Sequence, residues 1–312
     1  MAKWIIKRTL GSFLLLWALS ALLFLLVRAL PGDPVSASFG ENIGVGDRLQ
    51  LRQEWGLDRS LWLQYFAFNR NLLNLSLGRS YFYRTSVMGK ILHYLPNTLA
   101  LAASALLLAV FLSLPLAFVG IGKRRWGGDS LSAAASAAIL ALPNFFLGPL
   151  LIVFFSVKLG WFPVSGSGSL RHLALPALTL GIAISAGLSR IIRAAWQTEL
   201  SKPYVVLAAA KGLSAKQIFL RHVWKNAALP IVATLGLQSG ALLCGVVVTE
   251  TVFSWQGIGT LLITAVNRRD YPLVQGVLLF MAVVYAAVGM GVDAATFLLD
   301  PRSRRSWSGT HG

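Results

Sequence analysis

The chain has a single cysteine, Cys244, set in an apolar block. It cannot close a disulfide within itself or build a cysteine-based zinc site. Its four histidines, His93, His172, His222 and His311, fall in separate segments without HExxH or paired spacing. Each therefore reads as an interface or solvated side chain, and no metal site is expected. Charge is scarce as well: 12% of residues are charged and 56% are hydrophobic, too apolar a balance for a soluble domain. Acids are the scarcest group, 11 against 28 Lys and Arg, for a net charge of +17. Such an excess could suit nucleic acid, but here the basic residues are dispersed between apolar blocks, as loop charge in membrane proteins is. Nucleic acid is not expected as a partner. The chain also lacks a GxxxxGK[ST] loop. Gly120-Ile121-Gly122-Lys123 comes nearest, but Ala117 stands where the first glycine is needed, so the chain is not expected to hydrolyse ATP by itself. No nucleophile–base pair or ligand cluster is visible within the apolar blocks, which argues against a membrane-embedded enzyme.

What is present is a series of apolar blocks, the pattern of an all-α integral membrane protein. Lys3, Lys7 and Arg8 precede an uncharged run from Thr9 to Val27, long enough to cross a bilayer. A cleaved secretory signal is the rival reading, but the run is too long and Arg28 with LPGDP intervenes before Ser36-Ala37-Ser38. Further spans are expected over Tyr94–Gly122, Ser130–Val157, Leu173–Ser189, Asn226–Thr249 and Tyr271–Val292. Basic turns at Lys123-Arg124-Arg125, Arg190 to Lys225 and Arg302 to Arg305 fall on one side, where acids are few. By the positive-inside tendency that side is the cytoplasm, giving six spans with both termini inside. The domain division expected is 1–93, a first span plus an outer amphipathic element; 94–305, a five-span core; and 306–312, a tail.

Three stretches between the spans are informative. In the outer element, Trp62, Phe66 and Leu73 recur at helical intervals beside acids and arginines, which suits a small folded piece lying at headgroup level. Arg79, Tyr81, Tyr83 and Arg84 add a basic–aromatic cluster that either receives a soluble partner or anchors in headgroups. Glu250 to Asp270 holds Gly257, Gly259 and LLITAV, a piece too short to span. Glu250 could cap a short helix or contact a partner. In Lys202–Asn226, KPYVVLAAAKGLSAKQIFLRHVWKN, Pro203 can open a helix, Gly212 interrupts it and Ser214 can cap a second. This basic helix–glycine–helix could dock into a groove on a soluble partner, or be an ordinary cytoplasmic loop. Pro143 and Gly148 could kink the third span. Asp293 is an acid near the end of the sixth; the reading favoured is a structural partner, with an ion or substrate role as the rival.

The order LPGDP, GLDRSLWLQY, LGRSYFYRTSV, LGWFPVSG, AKGLSAKQIFLRHVWKNAALP, ETVFSWQGIG, RDYPLVQG and LLDPR resembles the inner-membrane permease subunits of bacterial ABC importers, in the oligopeptide, dipeptide and nickel branch. The resemblance runs from about residue 1 to 305. It implies a multi-pass protein of the bacterial inner membrane, half of a translocation pathway for peptides, or else for nickel or a metal–chelator complex. Its implied partners are a second homologous permease, two ATPase subunits that use ATP and Mg, and an extracytoplasmic substrate-binding protein, besides membrane lipid; no cofactor is implied for this chain. The segment before the fifth span resembles the family's coupling motif. Ala208 matches its second alanine and Gly212 its glycine, while Val206 replaces its glutamate and His222 to Lys225 depart from its end. ATPase coupling is thereby implied for Ala208, Lys211, Gly212, Leu213, Arg221 and His222, and binding-protein docking for Arg79, Tyr81, Tyr83, Arg84 and Glu250. An ion-coupled secondary transporter is the rival class; it would normally show more spans, internal repeats and several intramembrane charges.

Overall fold

The computed structural model describes residues 2–29, 32–40, 43–119, 136–137, 139 and 143–299. The expected basic turn Lys123-Arg124-Arg125, most of the first half of the third span, and the tail with Arg302, Arg304, Arg305 and His311 lie outside the described residues. The regular elements among those described are helical. They are α1 (Ala2–Ala29), α2 (Pro34–Phe39), α3 (Val45–Glu54), α4 (Leu61–Leu73), α5 (Val87–Val119) and α6 (Asn144–Leu151), which continues as a wider π turn over Ile152–Lys158. Then come α7 (Leu170–Leu200), α8 (Pro203–Ala210), α9 (Ala215–Ile218), a second π turn (Phe219–Val223), α10 (Trp224–Gly245), α11 (Val247–Val252), α12 (Ile258–Asn267) and α13 (Tyr271–Leu299). Only helices and closed barrels satisfy every backbone group within lipid, so the Leu- and Ala-rich blocks wind into helices.

Among the described residues, four helices are long and apolar enough to span: Thr9–Ala29, Val87–Val119, Leu170–Leu200 and Tyr271–Ala295. They match the expected first, second, fourth and sixth blocks. The fourth is longer than its uncharged core suggested, running on past Arg190 and Arg193 to Leu200. The fifth block is split between α10 and α11, and the LLITAV piece is the ten-residue α12.

The chain divides into two compact units. One comprises Met1–Leu99, Cys244–Thr251 and Gln256–Ala286. Its core joins Val27, Val87, Ile91, Ile258, Leu261, Leu273 and Val277. Here the scarce acids are engaged locally. Asp33 caps α2, accepting from the backbone N–H and hydroxyl of Ser36 at 3.2 and 3.1 Å, and pairs with Arg52 at 2.9 Å. Arg52 also reaches Asp58. On α4, Trp62, Phe66 and Leu73 are strongly exposed. All three stand outside the core of their own unit.

The other unit comprises Ala100–Leu243, Val252–Trp255 and Ala287–Gly312. Its core gathers Ala117, Leu188, Ile192, Trp196, Ala208, Ile218, Val223 and Ala227. At Gly181 a β-carbon would lie 2.8 Å from Leu108 Cβ, so α7 and α5 approach as small residues in lipid allow. The kink expected from Pro143 and Gly148 takes another form. Pro143 is extended at the N-cap of α6. Gly148 faces the Phe253 ring, which a β-carbon would meet at 3.2 Å. The proline starts a helix and the glycine admits a ring.

Candidate functional site

The stretch from Glu199 to Ala227 forms a compact helix–turn–helix on the second unit. Pro203 occupies the first turn of α8, where its missing N–H and fixed φ are harmless. α8 ends at Gly212, whose φ of +80° is the left-handed conformation glycine adopts without steric cost. The N–H of Gly212 donates to Ala209 O at 2.9 Å and that of Leu213 to Ala208 O at 3.3 Å, closing the helix end. Ser214 begins α9 with a capping box. Its Oγ accepts from Gln217 N–H, and Gln217 Oε1 accepts from Ser214 N–H. The helix–glycine–helix expected from the sequence is therefore present.

Burial sorts the residues of this turn into two sets. Ala208, Ile218, Val223 and Ala227 are buried beside Trp196, which is wholly enclosed. Phe118, Phe219 and Trp224 surround the indole, with ring centroids 4.6, 5.1 and 5.8 Å away. Val206, Leu207, Lys211, Gly212, Lys216, Leu220 and Arg221 are exposed, and Leu213 and His222 are half-buried. Ala208 therefore needs correction as a contact residue. It faces its own chain, and its small side chain lets α8 settle on that core. The free face is apolar at Val206 and Leu207 and basic at Lys211, Lys216 and Arg221.

Polar contacts fix how the turn is held. Glu199, near the end of α7, accepts from Lys202 Nζ at 2.5 Å and from the Tyr204 hydroxyl at 2.8 Å. The Asn226 side chain donates to the Tyr204 oxygen at 3.3 Å. One tyrosine thus joins the ends of α7 and α10 through the first turn of α8. Partial burial raises the Tyr204 pKa, the Glu199 contact adds to the rise and the Asn226 bond opposes it, so the phenol stays a neutral donor at working pH.

The basic–aromatic cluster lies in the first unit, on the loop before α5. Asp270 organises it. Its carboxylate is fully buried and accepts from the Ser80 hydroxyl at 2.5 Å and from the N–H groups of Tyr81, Phe82 and Leu273 at 3.1, 3.1 and 3.2 Å. Tyr81 stacks on Trp55 with centroids 4.1 Å apart and planes 2° from parallel. Burial pushes its phenol up to about 12. Lys90 sits over the Tyr83 ring at 4.0 Å. Arg79 and Arg84 are exposed, whereas Tyr81 and Tyr83 are half-buried supports.

Glu250 does not belong with them. It is fully buried, accepting from Thr98 Oγ1 at 2.7 Å and from Thr260 N–H at 3.0 Å. Thr98 in turn accepts from Ile258 N–H at 2.8 Å. Burial pushes the carboxyl above the usual range, against the Thr98, Thr260 and Gly259 bonds that favour the anion. A β-carbon at Gly257 would collide with Glu250 Oε1 and Thr98 Oγ1, and one at Gly259 would lie 2.6 Å from Val247 Cα. Of the two roles open to Glu250, this geometry is that of an internal cap for α12; a soluble partner has no access to it. Asp293 is half-buried on α13 and is engaged by another group. The sequence reading missed the Asp270 anchor and, for Glu250, the Thr98 partner, though it had offered Glu250 as a helix cap. An acid two residues before proline, and one followed by closely spaced glycines, were the signals available.

Residues 109–305 match the family described as binding-protein-dependent transport system inner membrane component, and residues 1–102 match that system's N-terminal membrane component. The chain belongs to this family. It is a multi-pass membrane permease component of an ABC importer and not an enzyme. It is 36% identical over 305 residues to the glutathione transport system permease protein GsiC of Escherichia coli (strain K12), covering 97% of this chain and 99% of that protein. GsiC of Shigella dysenteriae serotype 1 matches over the same shares at the same identity. Two solved transporters share the fold. A methionine ABC transporter, MetNI, in an inward-facing conformation superposes with a TM-score of 0.56 at 16% identity, over 68% of this chain and 97% of that one. An amino acid ABC transporter with histidines gives 0.52 at 17%, over 69% and 94%.

Proposed function

We propose that this permease forms half of an import pathway for short peptides and takes its driving force through the turn around Gly212. Six spans with both termini in the cytoplasm put that turn on the inner face and the Arg79–Arg84 loop on the outer one. A second homologous permease completes the pathway, two ATPase subunits grip the coupling turns, and an extracytoplasmic binding protein delivers cargo. The observation that carries the reading is the Glu199–Ala227 geometry. A solvent-facing helical turn is capped at both ends, packed on a buried aromatic core and bracketed to two long helices by Tyr204. The contact face is Val206, Leu207, Lys211, Gly212, Lys216, Leu220 and Arg221, flanked by Leu213 and His222. With Val206 in place of an acid, docking rests on apolar contact and basic side chains. Peptide cargo is supported by the GsiC relatives, which are named for glutathione, itself a short peptide. Arg79 and Arg84 are the exposed residues offered to the binding protein.

The test is co-purification of the tagged chain, wild type and Gly212→Pro, followed by peptide uptake into vesicles. Proline removes the Gly212 N–H and forbids its φ. The ATPase and a second permease should accompany wild type, and the ATPase should be lost from the variant. Wild type that purifies alone and moves substrate without ATP would overturn the reading.

A further inference from the structure

A second feature of the first unit is not used by coupling. A cavity of about 520 Å³ lies among the end of α1, helices α3 and α4, the loop before α5 and the first turns of α13. Four arginines line it, Arg28, Arg59, Arg79 and Arg84, against one acid, Glu54. Nearby Arg52 is held by two carboxylates; among the described residues, the four cavity arginines have none within ion-pair distance. Arg28 is half-buried. Its Nε donates to Gln64 Oε1 at 2.9 Å and its Nη1 to Phe24 O at 3.3 Å, while the guanidinium rests on the Phe24 ring 3.5 Å from the centroid. These contacts fix the side chain without neutralising it.

The second, independent observation is Gln275. It is 3% exposed and lines the same cavity, and its Nε2 has no hydrogen-bond partner among the described residues. A buried amide donor left unpaired is costly, and it is rarely kept unless something else accepts from it. Fixed cations plus an unpaired donor make a site for an oxyanion. Depth narrows the class. Arg28 lies in the last turn of the span Thr9–Ala29, and Tyr271 and Gln275 lie in the first turns of Tyr271–Ala295. The cavity therefore sits where spans meet the headgroup layer. Leu63 and Phe68 on its wall offer apolar surface beside the charges.

We propose that this cavity binds a phosphate oxyanion at the membrane interface, supplied by the headgroup of an anionic phospholipid. Arg28 and Gln275 hold the phosphate oxygens, and Arg59 adds positive charge beside them. The ligand ties α1 to α13.

The experiment uses the full chain, with whatever subunits accompany it, delipidated in neutral detergent. Thermal unfolding and native mass spectrometry are followed on adding phosphatidylglycerol, phosphatidylcholine or inorganic phosphate. Variants are Arg28→Gln, Gln275→Leu and Arg59→Gln, with exposed Arg171→Gln as a charge-matched control. Phosphatidylglycerol should raise the unfolding temperature of wild type and of the control and persist as an adduct. Its affinity should fall about tenfold or more in Arg28→Gln and Gln275→Leu, and less in Arg59→Gln. Without lipid, Gln275→Leu should unfold no earlier than wild type, because it removes an unpaired donor. If inorganic phosphate gives the whole effect, the oxyanion site stands and its source is the free ion. Equal binding by wild type and all three cavity variants, or losses no larger than in the control, would overturn the proposal. Should Arg28→Gln fail to fold, Gln275→Leu and Arg59→Gln decide it.

Discussion

Gly212 offers a test in which backbone conformation and bulk make opposite demands. Its φ is +80°, and a β-carbon built there meets nothing within 4 Å. Steric collision with the chain itself therefore drops out, and the cost of any substitution is that of holding an L-residue in the left-handed region. That cost is about 1 kcal/mol for alanine and about 2 for β-branched valine, and it is smallest for asparagine, which visits this region more readily, at about 0.5. Where the substituted turn relaxes in the free permease and regains φ +80° on docking, that cost falls on binding: at about 1.4 kcal/mol per tenfold, the ATPase affinity should fall about fivefold for Gly212→Ala, about twofold for Gly212→Asn and about thirtyfold for Gly212→Val. Binding of purified ATPase to permease in nanodiscs, by surface-immobilised titration, gives the numbers. The order decides. Conformation ranks asparagine milder than alanine. Crowding against the ATPase ranks asparagine, the larger side chain, as worse. A loss that tracks side-chain volume would refute the conformational argument, and three unchanged affinities would refute the docking role of the turn.

Other expectations follow from the same geometry. Tyr204→Phe removes the bonds to Glu199 and Asn226 and should lower stability by about 1 kcal/mol, with a larger fractional loss in transport per ATP hydrolysed; flux and hydrolysis measured together in proteoliposomes check this. Glu250→Ala leaves the Thr98 hydroxyl and the Thr260 N–H without their acceptor and should cost about 2–3 kcal/mol, whereas Glu250→Gln should leave binding-protein affinity unchanged, as read by titration of the outer face. Asp270→Ala releases four donors from one carboxylate and should expose residues 78–86 to limited proteolysis. The raised pKa of Tyr81 means that its stabilising contribution is complete below pH 10 and lost as pH rises through about 12. The ultraviolet phenolate signal that disappears in Tyr81→Phe should titrate near the upper value.

The turn around Gly212 was legible because its signals are local. Proline at a first helical position, glycine at a helix end and serine three residues before glutamine each act within one turn, and the structure places all three in those roles. The apolar blocks were legible because lipid imposes length and composition on a span. What sequence reading missed connects distant residues. Asp270 reaches Ser80 across 190 positions and Glu250 reaches Thr98 across 152, and no periodicity encodes such a pairing. Ala208 was misplaced for a related reason. Its identity fits either face of a helix, and only packing on Trp196 decides which.

Tyr204 gives the turn a mechanical property. Because its hydroxyl is shared by a residue near the end of α7 and one at the start of α10, a pull on α8 cannot be absorbed by bending one helix alone. The two long helices are tied at one point, like the arms of one crank. Under the coupling role proposed above, a stroke delivered at this turn reaches both helices together.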